Sequence, residues 1–500
     1  MKSILILSIE LFLVINNIAQ SGYNKTYDYG VAQSMLAIRY YNDSLNVYGI
    51  IFFDTQSRQK CFIVQLDTMG GVLKWINIED PKGDSHLSSQ PGGAMIKNGK
   101  GIVVPVDLIG QARSGIGIIN NEGILDSFVQ YDYGSDRSTS IYSVIECYDG
   151  DYIFTGWASR LNYDLDAFVL KTTADGEKKW LKYYGVNGLR EIGFSIVEVN
   201  ENEYVIGGVK DSKSYIFAID SLGNKKWEWM HPDTTEVTVK SLHKEANGDW
   251  TYLSHTYRPT TYPVDPPYLV YIPMFIRRDS SMNLLVRKEI GPYAYMNEAF
   301  TMIPSRDGGW ITAGTTSTVT DNGPADSVLT LYGRVVKLDE DGDSVWEMKD
   351  TAFFSQYFSK SYLSGIAEAP TGSIYAVGYS EHPTDGVWRS YGWLLKITAD
   401  GCVDTLCTTT SLLDQLYGKQ AQINVYPNPT AGYVIFDLSE DIYDRYAEIF
   451  DMHGRRVARQ VLQPGKNVIM LNETPGLYAW RVEDRDGDLI DSGKLVLVSY

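Results

Sequence analysis

The stretch FVLKTTADGEKKWLKYYG, residues 168–185, decides the fold of this protein. Apolar residues alternate in its first part, an Asp-Gly pair follows at 175–176, and its last part carries Trp180 and Tyr183. Alternation is typical of a pleated strand, and Gly supplies a positive φ in a tight turn without steric cost. The stretch therefore predicts a β-hairpin with its turn at the Asp-Gly pair.

The same hairpin pattern returns along the whole first four-fifths of the chain. Its turns lie near residues 71, 123, 176, 223, 283, 342 and 401. A second hairpin pattern, typified by SIVEVNENEYVIGG at 195–208, lies between consecutive copies, and its second strand usually ends in Gly. Self-similarity at such a period is a signature of propellers and other repeat arrays.

Two hairpins per repeat give a four-stranded sheet, which cannot bury both of its faces alone. Seven such sheets packed radially predict an all-β, seven-bladed β-propeller over residues 20–407, and an open β-solenoid is the alternative. Closure is favoured because the last repeat lacks a fourth strand after Gly401, whereas YNKTYDYG at 23–30 resembles the fourth strands of other repeats. Residues 23–30 are therefore expected to complete the last blade.

Composition and the N-terminal segment limit the compartment and the partners. Residues 1–19 resemble a secretory signal peptide, with Lys2, an apolar segment and Ala19 before a cut at Gln20. A net charge of −18 repels phosphate backbones, so nucleic acid is not expected as a partner. No later apolar run approaches about 20 residues, so no transmembrane span is expected.

The cysteines and the acidic segment 339–343 are interpreted as structural rather than functional residues. Cys402 and Cys407 are close enough in sequence to form a disulfide in an exported chain. Cys61 and Cys147 are interpreted as buried thiols. The acidic segment 339–343 matches a hairpin turn better than a calcium loop, and no metal site or cofactor is expected.

A separate module begins at residue 423, after a polar linker at 408–422. Its short, closely spaced strand patterns predict a small Ig-like β-sandwich over residues 423–500.

Segments of this module resemble a known family. INVYPNPTAG (423–432), AEIFDMHGRRV (447–457), PGLYAWRV (475–482) and KLVLVS (494–499) resemble the type A C-terminal sorting domain of the type IX secretion system. The resemblance implies export through the outer membrane to the cell surface or medium, with the translocon and a surface sortase as partners. It assigns the sorting motif to Pro427, Asn428, Pro429, Gly432, Gly454, Gly476, Tyr478 and Lys494.

Long loops on one face of the predicted propeller carry aromatic residues that no repeat position requires. Aromatic rings suit sugar or protein ligands, and functional residues often lie on loops above a rigid scaffold. The alternative is that these loops pack on one another. The expected ligand-binding residues are Tyr257, Tyr262, Tyr268, Tyr293, Tyr295, Phe353, Phe354, Tyr357, Phe358, Tyr362 and Trp388.

The chain contains no catalytic motif in a suitable context. The sequence thus predicts an exported, surface-attached or released propeller that acts as a binding or structural module for a glycan or a protein. The alternative is a glycan hydrolase or lyase, which would need carboxylates, or a His with a partner, gathered at the mouth of the central channel.

Overall fold

The structure of the protein is a computed structural model. It describes residues 23–28, 33–52, 59–79, 87–88, 95–108, 113–134, 137–159, 164–259, 269–291, 296–321, 327–352, 360–384, 387–403, 423–426, 430, 432–438, 445–451, 455–463, 465–471, 473–483 and 489–498. The chain forms two compact units, residues 1–404 and 405–500. Every regular element in the described ranges is a β-strand, which confirms the all-β prediction. Within the same ranges, no helix is long and apolar enough to cross a membrane.

The strands of the N-terminal unit fall into successive groups, which we call blades 1 to 7. Strand β1 (Tyr23–Tyr27) comes first in the chain but belongs to blade 7. Blade 1 contains β2 (Gln33–Tyr41), β3 (Ser44–Phe52), β4 (Gln59–Asp67) and β5 (Val72–Ile78). Blade 2 contains β6 (Leu87–Ser88), β7 (Ile96–Lys97), β8 (Gly101–Leu108), β9 (Arg113–Asn120) and β10 (Leu125–Gln130). Blade 3 contains β11 (Thr139–Glu146), β12 (Tyr152–Ser159), β13 (Leu165–Thr172) and β14 (Lys178–Tyr184).

The later blades repeat the same order. Blade 4 contains β15 (Glu191–Asn200), β16 (Glu203–Lys210), β17 (Lys213–Asp220) and β18 (Lys225–Met230). Blade 5 contains β19 (Lys240–Lys244), β20 (Trp250–Pro259), β21 (Leu269–Arg278) and β22 (Leu284–Glu289). Blade 6 contains β23 (Asn297–Pro304), β24 (Trp310–Asp321), β25 (Ser327–Leu338) and β26 (Ser344–Asp350). Blade 7 contains β27 (Lys360–Glu368), β28 (Ile374–Thr384), β29 (Val387–Ile397) and β1.

The first strand of each blade is innermost, and these strands surround a central channel. In order they are β2, β7, β11, β15, β19, β23 and β27; each contacts the next, and β27 contacts β2. Contacts that run in such a cycle make a closed propeller rather than an open solenoid. The grouping of the described strands supports the prediction of seven blades.

Strand β1 occupies the outermost place in blade 7. It pairs antiparallel with β29, so that Tyr23 lies opposite Lys396 and Tyr27 opposite Gly392. The Tyr27 hydroxyl also donates to the carbonyl of Gly70, in the last turn of blade 1, at 2.8 Å.

Other blades use the same contact. In blades 2 and 3, Tyr131 donates to Gly176 at 2.8 Å and Tyr184 donates to Gly223 at 2.7 Å. Each glycine has a positive φ in the turn between the third and fourth strands of the following blade. An aromatic residue near the outer edge of one blade thus holds the turn of the next.

A β-bulge recurs in most of the innermost strands. In blades 1, 3, 4, 6 and 7 it lies opposite a glycine of the second strand. In blade 7, a Cβ at Gly378 would overlap the carbonyl oxygen of Tyr362. The glycine that ends the repeated second strand is therefore needed for close backbone approach.

The C-terminal unit is a sandwich of two antiparallel sheets. Its strands are β30 (Ile423–Tyr426), β31 (Tyr433–Leu438), β32 (Arg445–Asp451), β33 (Arg456–Leu462), β34 (Gly465–Met470), β35 (Gly476–Glu483) and β36 (Leu489–Leu497). One sheet has the order β30-β31-β34 and the other β33-β32-β35-β36. Phe436 and Trp480 meet edge to face between them, with ring centroids 5.3 Å apart. The predicted Ig-like β-sandwich agrees with this arrangement.

Candidate ligand-binding site at the channel mouth

The central channel opens into a cavity of about 450 Å³ on the face that carries the long loops. We call this cavity the channel mouth. Its lining includes Arg39, Tyr142, Arg190, Phe194, Lys240, His255, Tyr257, Tyr271, Glu298 and Phe300.

Bulges direct aromatic residues into the channel mouth. Tyr142, Phe194 and Phe300 are each the unpaired residue at the bulge of β11, β15 or β23. The extra residue breaks the alternation of the strand, and all three side chains line the mouth. Tyr142 and Phe194 meet edge to face, with centroids 5.0 Å apart.

A tyrosine pair from blade 5 adds a second aromatic surface. Tyr257, near the end of β20, and Tyr271, near the start of β21, have ring centroids 4.7 Å apart. The Tyr257 hydroxyl donates to that of Tyr271 at 3.4 Å. Burial and this hydrogen bond raise the pKa of Tyr257 to about 12, so its hydroxyl is protonated at neutral pH.

Charged groups lie between the aromatic surfaces. Burial raises the pKa of Glu298, although the nearby Lys240 opposes that shift. Burial lowers the pKa of Lys240, and the charge of Glu298 opposes it in turn. Each group therefore lies where its charged form is poorly solvated.

His255 supports the site from beneath. It is 3% exposed, and its Nδ1 lies 3.3 Å from the Thr238 hydroxyl. Burial and the charge of Lys240 lower the pKa of His255 well below its ordinary value, so its ring is neutral at neutral pH. The neutral imidazole thus contacts the segment that leads into β19 through Thr238.

The opposite end of the channel has a different chemistry. A cavity of about 640 Å³ there is lined in part by Glu146, Glu198 and Glu368. Glu198 accepts a hydrogen bond from the backbone NH of Tyr148 at 2.6 Å, and Glu368 accepts one from Arg306 at 2.8 Å. The carboxylates of Glu198 and Glu368 thus each bind a turn of the preceding blade. Glu146 of blade 3 likewise accepts a hydrogen bond from Asn98, in a turn of blade 2, at 2.8 Å. Carboxylates at this end hold blades together.

The predicted ligand-binding residues differ in their surroundings. Tyr257 lines the channel mouth. Tyr362 stacks on Tyr379 with centroids 4.8 Å apart, and burial, Glu381 and Glu298 raise its pKa to about 12. Trp388 is 51% exposed on β29, outside the cavity lining. The predicted residues that lie outside the described ranges are Tyr262, Tyr268, Tyr293, Tyr295, Phe353, Phe354, Tyr357 and Phe358.

Three aromatic residues of the channel mouth that the sequence did not predict, Tyr142, Phe194 and Phe300, lie on strands rather than on loops. One signal for them was present: an aromatic residue followed by Ser or Thr recurs in three repeats, at 142–143, 194–195 and 300–301. The hydroxyl of Ser195 accepts from the backbone of Leu242 in the next innermost strand, at 3.0 Å. The recurring pair thus places a ring in the channel and, in blade 4, a hydroxyl between blades.

The cysteines are partly described. Burial raises the pKa of Cys61 to about 12 and that of Cys147 to about 11, which fits buried thiols. Cys402 is buried, and Cys407 lies outside the described residues, so their disulfide stays a prediction.

In the C-terminal unit, the described motif residues stabilise strand ends. Gly432 has a φ of 134° and accepts a hydrogen bond from Leu471 at 2.8 Å. Tyr478 donates to Thr474 at 2.6 Å. Gly476 and Lys494 lie in β35 and β36, opposite Leu497 and Ala479. Four motif residues are outside the described ranges: Pro427, Asn428, Pro429 and Gly454.

Residues 424–497 match the family model of the secretion system C-terminal sorting domain. The C-terminal unit is therefore a type IX sorting domain, as its motifs predicted. The domain indicates export through the outer membrane to the cell surface or extracellular space.

Comparison with solved structures gives several distant matches. A protein of unknown function from Dyadobacter fermentans is 10% identical, with a TM-score of 0.40 over 75% of this chain and 98% of that one. The β-propeller domain of the Trilobed protease from Pyrococcus furiosus is 10% identical, with a TM-score of 0.39 over 72% and 95%. PorZ, a surface component of the type IX secretion system of Porphyromonas gingivalis, is 8% identical, with a TM-score of 0.19 over 95% and 100%. No curated protein matches the chain significantly.

Proposed function

We propose that this protein, a cargo of the type IX secretion system, binds a glycan at the channel mouth of its propeller. The observation that carries the proposal is the arrangement of aromatic rings around the cavity of about 450 Å³. Rings from three bulges and a tyrosine pair offer apolar faces, and charged groups between them can bind hydroxyls. Ligand sites of this volume combine apolar walls with a few placed polar groups. The translocon and a surface sortase act on the sorting domain.

The alternative of a glycan-cleaving enzyme is less well supported. Hydrolysis generally requires two carboxylates, separated by about 5–10 Å, across the scissile bond. Among the described lining residues of the channel mouth, Glu298 is the only carboxylate. His255 lines the cavity but is only 3% exposed, which limits its contact with a bound sugar. Binding without cleavage is therefore the function that we propose.

A glycan array tests the proposal, with residues 20–500 as the labelled protein. Replacement of Tyr257 and Tyr271 by Ala should weaken binding of any glycan found by about tenfold or more, because both rings line the cavity. Tyr148→Ala is the matched control, since this tyrosine is 70% exposed near the opposite end of the channel. An array without any bound glycan would refute the proposal and leave a protein ligand as the next candidate.

We also propose that residues 1–19 are a cleaved signal peptide and that Cys402 and Cys407 form a disulfide. Mass spectrometry of the exported protein should find a chain that begins at Gln20. It should also find the peptide of both cysteines lighter by two hydrogens until it is reduced. An intact N-terminal segment or two alkylated thiols in the exported protein would contradict the respective part.

A further inference from the structure

The channel mouth carries an excess of positive charge on a strongly acidic protein. Arg39, Arg190 and Lys240 line it, against the single described carboxylate of Glu298. The whole chain has a net charge of −18. A local reversal of sign in a concave site concentrates anions there, because low-dielectric walls focus the field.

Elsewhere in the propeller, several buried cations are paired with carboxylates. Five such ion pairs are Arg137–Asp166, Lys171–Asp149, Arg278–Glu236, Arg334–Glu347 and Lys337–Asp307. In each pair the cationic side chain is at most 16% exposed. These five buried cations are therefore neutralised by nearby carboxylates.

The cations of the channel mouth are more exposed and are not neutralised in this way: Arg39 and Arg190 are exposed, and Lys240 is half-buried. Within the described residues, no salt bridge or side-chain hydrogen bond is made by the half-buried Lys240 or by Arg190. Lys240 lies near the ring of Phe300, 6.0 Å from its Nζ, and feels the charge of Glu298, with which it forms no salt bridge. The guanidinium of Arg39 donates to the carbonyl of Ile38 at 2.8 Å, which leaves its charge uncompensated. These side chains have free donors directed to the same cavity.

We infer that the ligand of the channel mouth is an acidic saccharide, whose carboxylate groups bind Arg39, Arg190 and Lys240. This inference rests on the proposed function and adds the class of glycan. Sugar rings would stack on Tyr142, Phe194 and the tyrosine pair, while the carboxylates provide the missing partners of the cations. Charge-assisted hydrogen bonds to carboxylates are about twice as strong as neutral ones, so the acidic sugar is preferred over its neutral analogue.

Titration calorimetry with two matched probes tests the inference. The probes are tetragalacturonic acid and its full methyl ester, which differ in charge and not in ring structure. Residues 20–500 should bind the acid at least tenfold more tightly than the ester. This preference should decrease as salt is raised from about 0.05 to 0.5 M, since exposed charges are screened.

Variants identify the groups responsible. Arg190→Gln and Lys240→Gln should each lower affinity for the acid about tenfold and lower affinity for the ester much less, because the amide still offers a donor to hydroxyls. Lys178→Gln is the matched control, because it removes the same charge from an exposed place on β14, far along the sheet from the channel. Arg190 is itself exposed, so its variant tests the site even if Lys240→Gln were to unfold.

The outcomes separate the inference from the proposed function. Equal affinity for acid and ester, or equal effects of Lys178→Gln and Arg190→Gln, would overturn the acidic preference and leave glycan binding intact. The acidic preference would also be overturned if neither probe bound and the array showed only neutral glycans whose binding depends on Tyr257. An array with no glycan bound at all would overturn the proposed function first.

Discussion

At the scale of single residues, the bulge glycines carry a steric requirement that their neighbours do not. Gly378→Ala should destabilise the propeller by about 1–3 kcal/mol, because the added methyl overlaps the carbonyl of Tyr362 and moves the bulge. Gly117→Ala is the control: its Cβ would meet Ile78 at an ordinary 3.4 Å. Calorimetry of the full chain measures both, and equal melting temperatures for the two variants would contradict the steric argument.

Glu448 makes the stability of the sorting domain depend on pH. It is 2% exposed and accepts hydrogen bonds from Arg456 and Arg481 at 2.6 and 2.7 Å, with Arg459 at 3.3 Å. Burial alone would raise its pKa, but the hydrogen bonds of Arg481 and Arg456 lower it below 4.5. The charged form thus stabilises the fold above pH 4.5, and this contribution disappears as pH falls through the lowered folded pKa.

Glu448→Gln should therefore cost the sorting domain roughly 1–3 kcal/mol at pH 7 and progressively less below pH 4.5. Glu473→Gln is the control, because Glu473 pairs with the exposed Arg455 and such pairs contribute about 0–1 kcal/mol. Calorimetry at pH 7, 5 and 3 gives the comparison. A constant difference at all three values would show that the charge of Glu448 is not involved.

Single residues of the site were only partly predictable. Tyr257 was identified because an aromatic residue near a long loop has no packing role in the repeat. Phe194 and Phe300 were missed because a bulge reverses which side of the strand a residue occupies, and a bulge has no clear signature in the sequence.

At the scale of elements, β1 is held by contacts that are distant in sequence. It pairs with β29, its Tyr27 bonds to the turn that contains Gly70, and its Asn24 accepts a hydrogen bond from the Trp393 indole at 2.8 Å. Deletion of residues 23–28 should remove cooperative melting of the propeller and cause aggregation, since β29 becomes an open edge. Tyr27→Phe, which keeps the strand and loses one hydrogen bond, should cost only about 1 kcal/mol.

Thermal melting with light scattering distinguishes these results. Unchanged cooperative melting of the deletion variant would mean that β1 is dispensable for the ring.

Hairpins were the elements most readily predicted from the sequence. The motif at 168–185 became β13 and β14, with the turn at Gly176 as expected. The innermost strand of blade 2 was harder to predict, and among its described residues the pairing with β8 is limited to Ile96 and Lys97. Glycines and polar residues there leave few side chains to pack on a sheet.

At the scale of the molecule, the two units should separate secretion from binding. Removal of residues 423–500 should leave the propeller folded but retained in the periplasm, because the sorting domain indicates export through the outer membrane. Residues 411–500 fused behind an unrelated passenger with a signal peptide should bring that passenger to the surface. Protease accessibility on whole cells measures both, and surface exposure of the truncated propeller would contradict the division.

The fold was more predictable than the site for a physical reason. Repeated hairpins are local in sequence, and their period is visible in one chain. The channel mouth instead brings together Arg39, Arg190 and Glu298 from three blades. The proximity of these side chains depends on the radius of the ring and on the side of each strand from which a residue projects. The spacing of residues in the sequence determines neither.

The place of β1 also has a consequence for timing. Asn24 and Trp393, which bind each other across the closure, are separated by 369 positions in the chain. In a polypeptide that emerges with β1 ahead of β29, the first strand must wait for the last blade before it can pair. A chain that has emerged only in part therefore keeps an unpaired strand and an open ring. The closed propeller can therefore form only after both β1 and β29 have emerged. This dependence follows from the order of the strands in the chain.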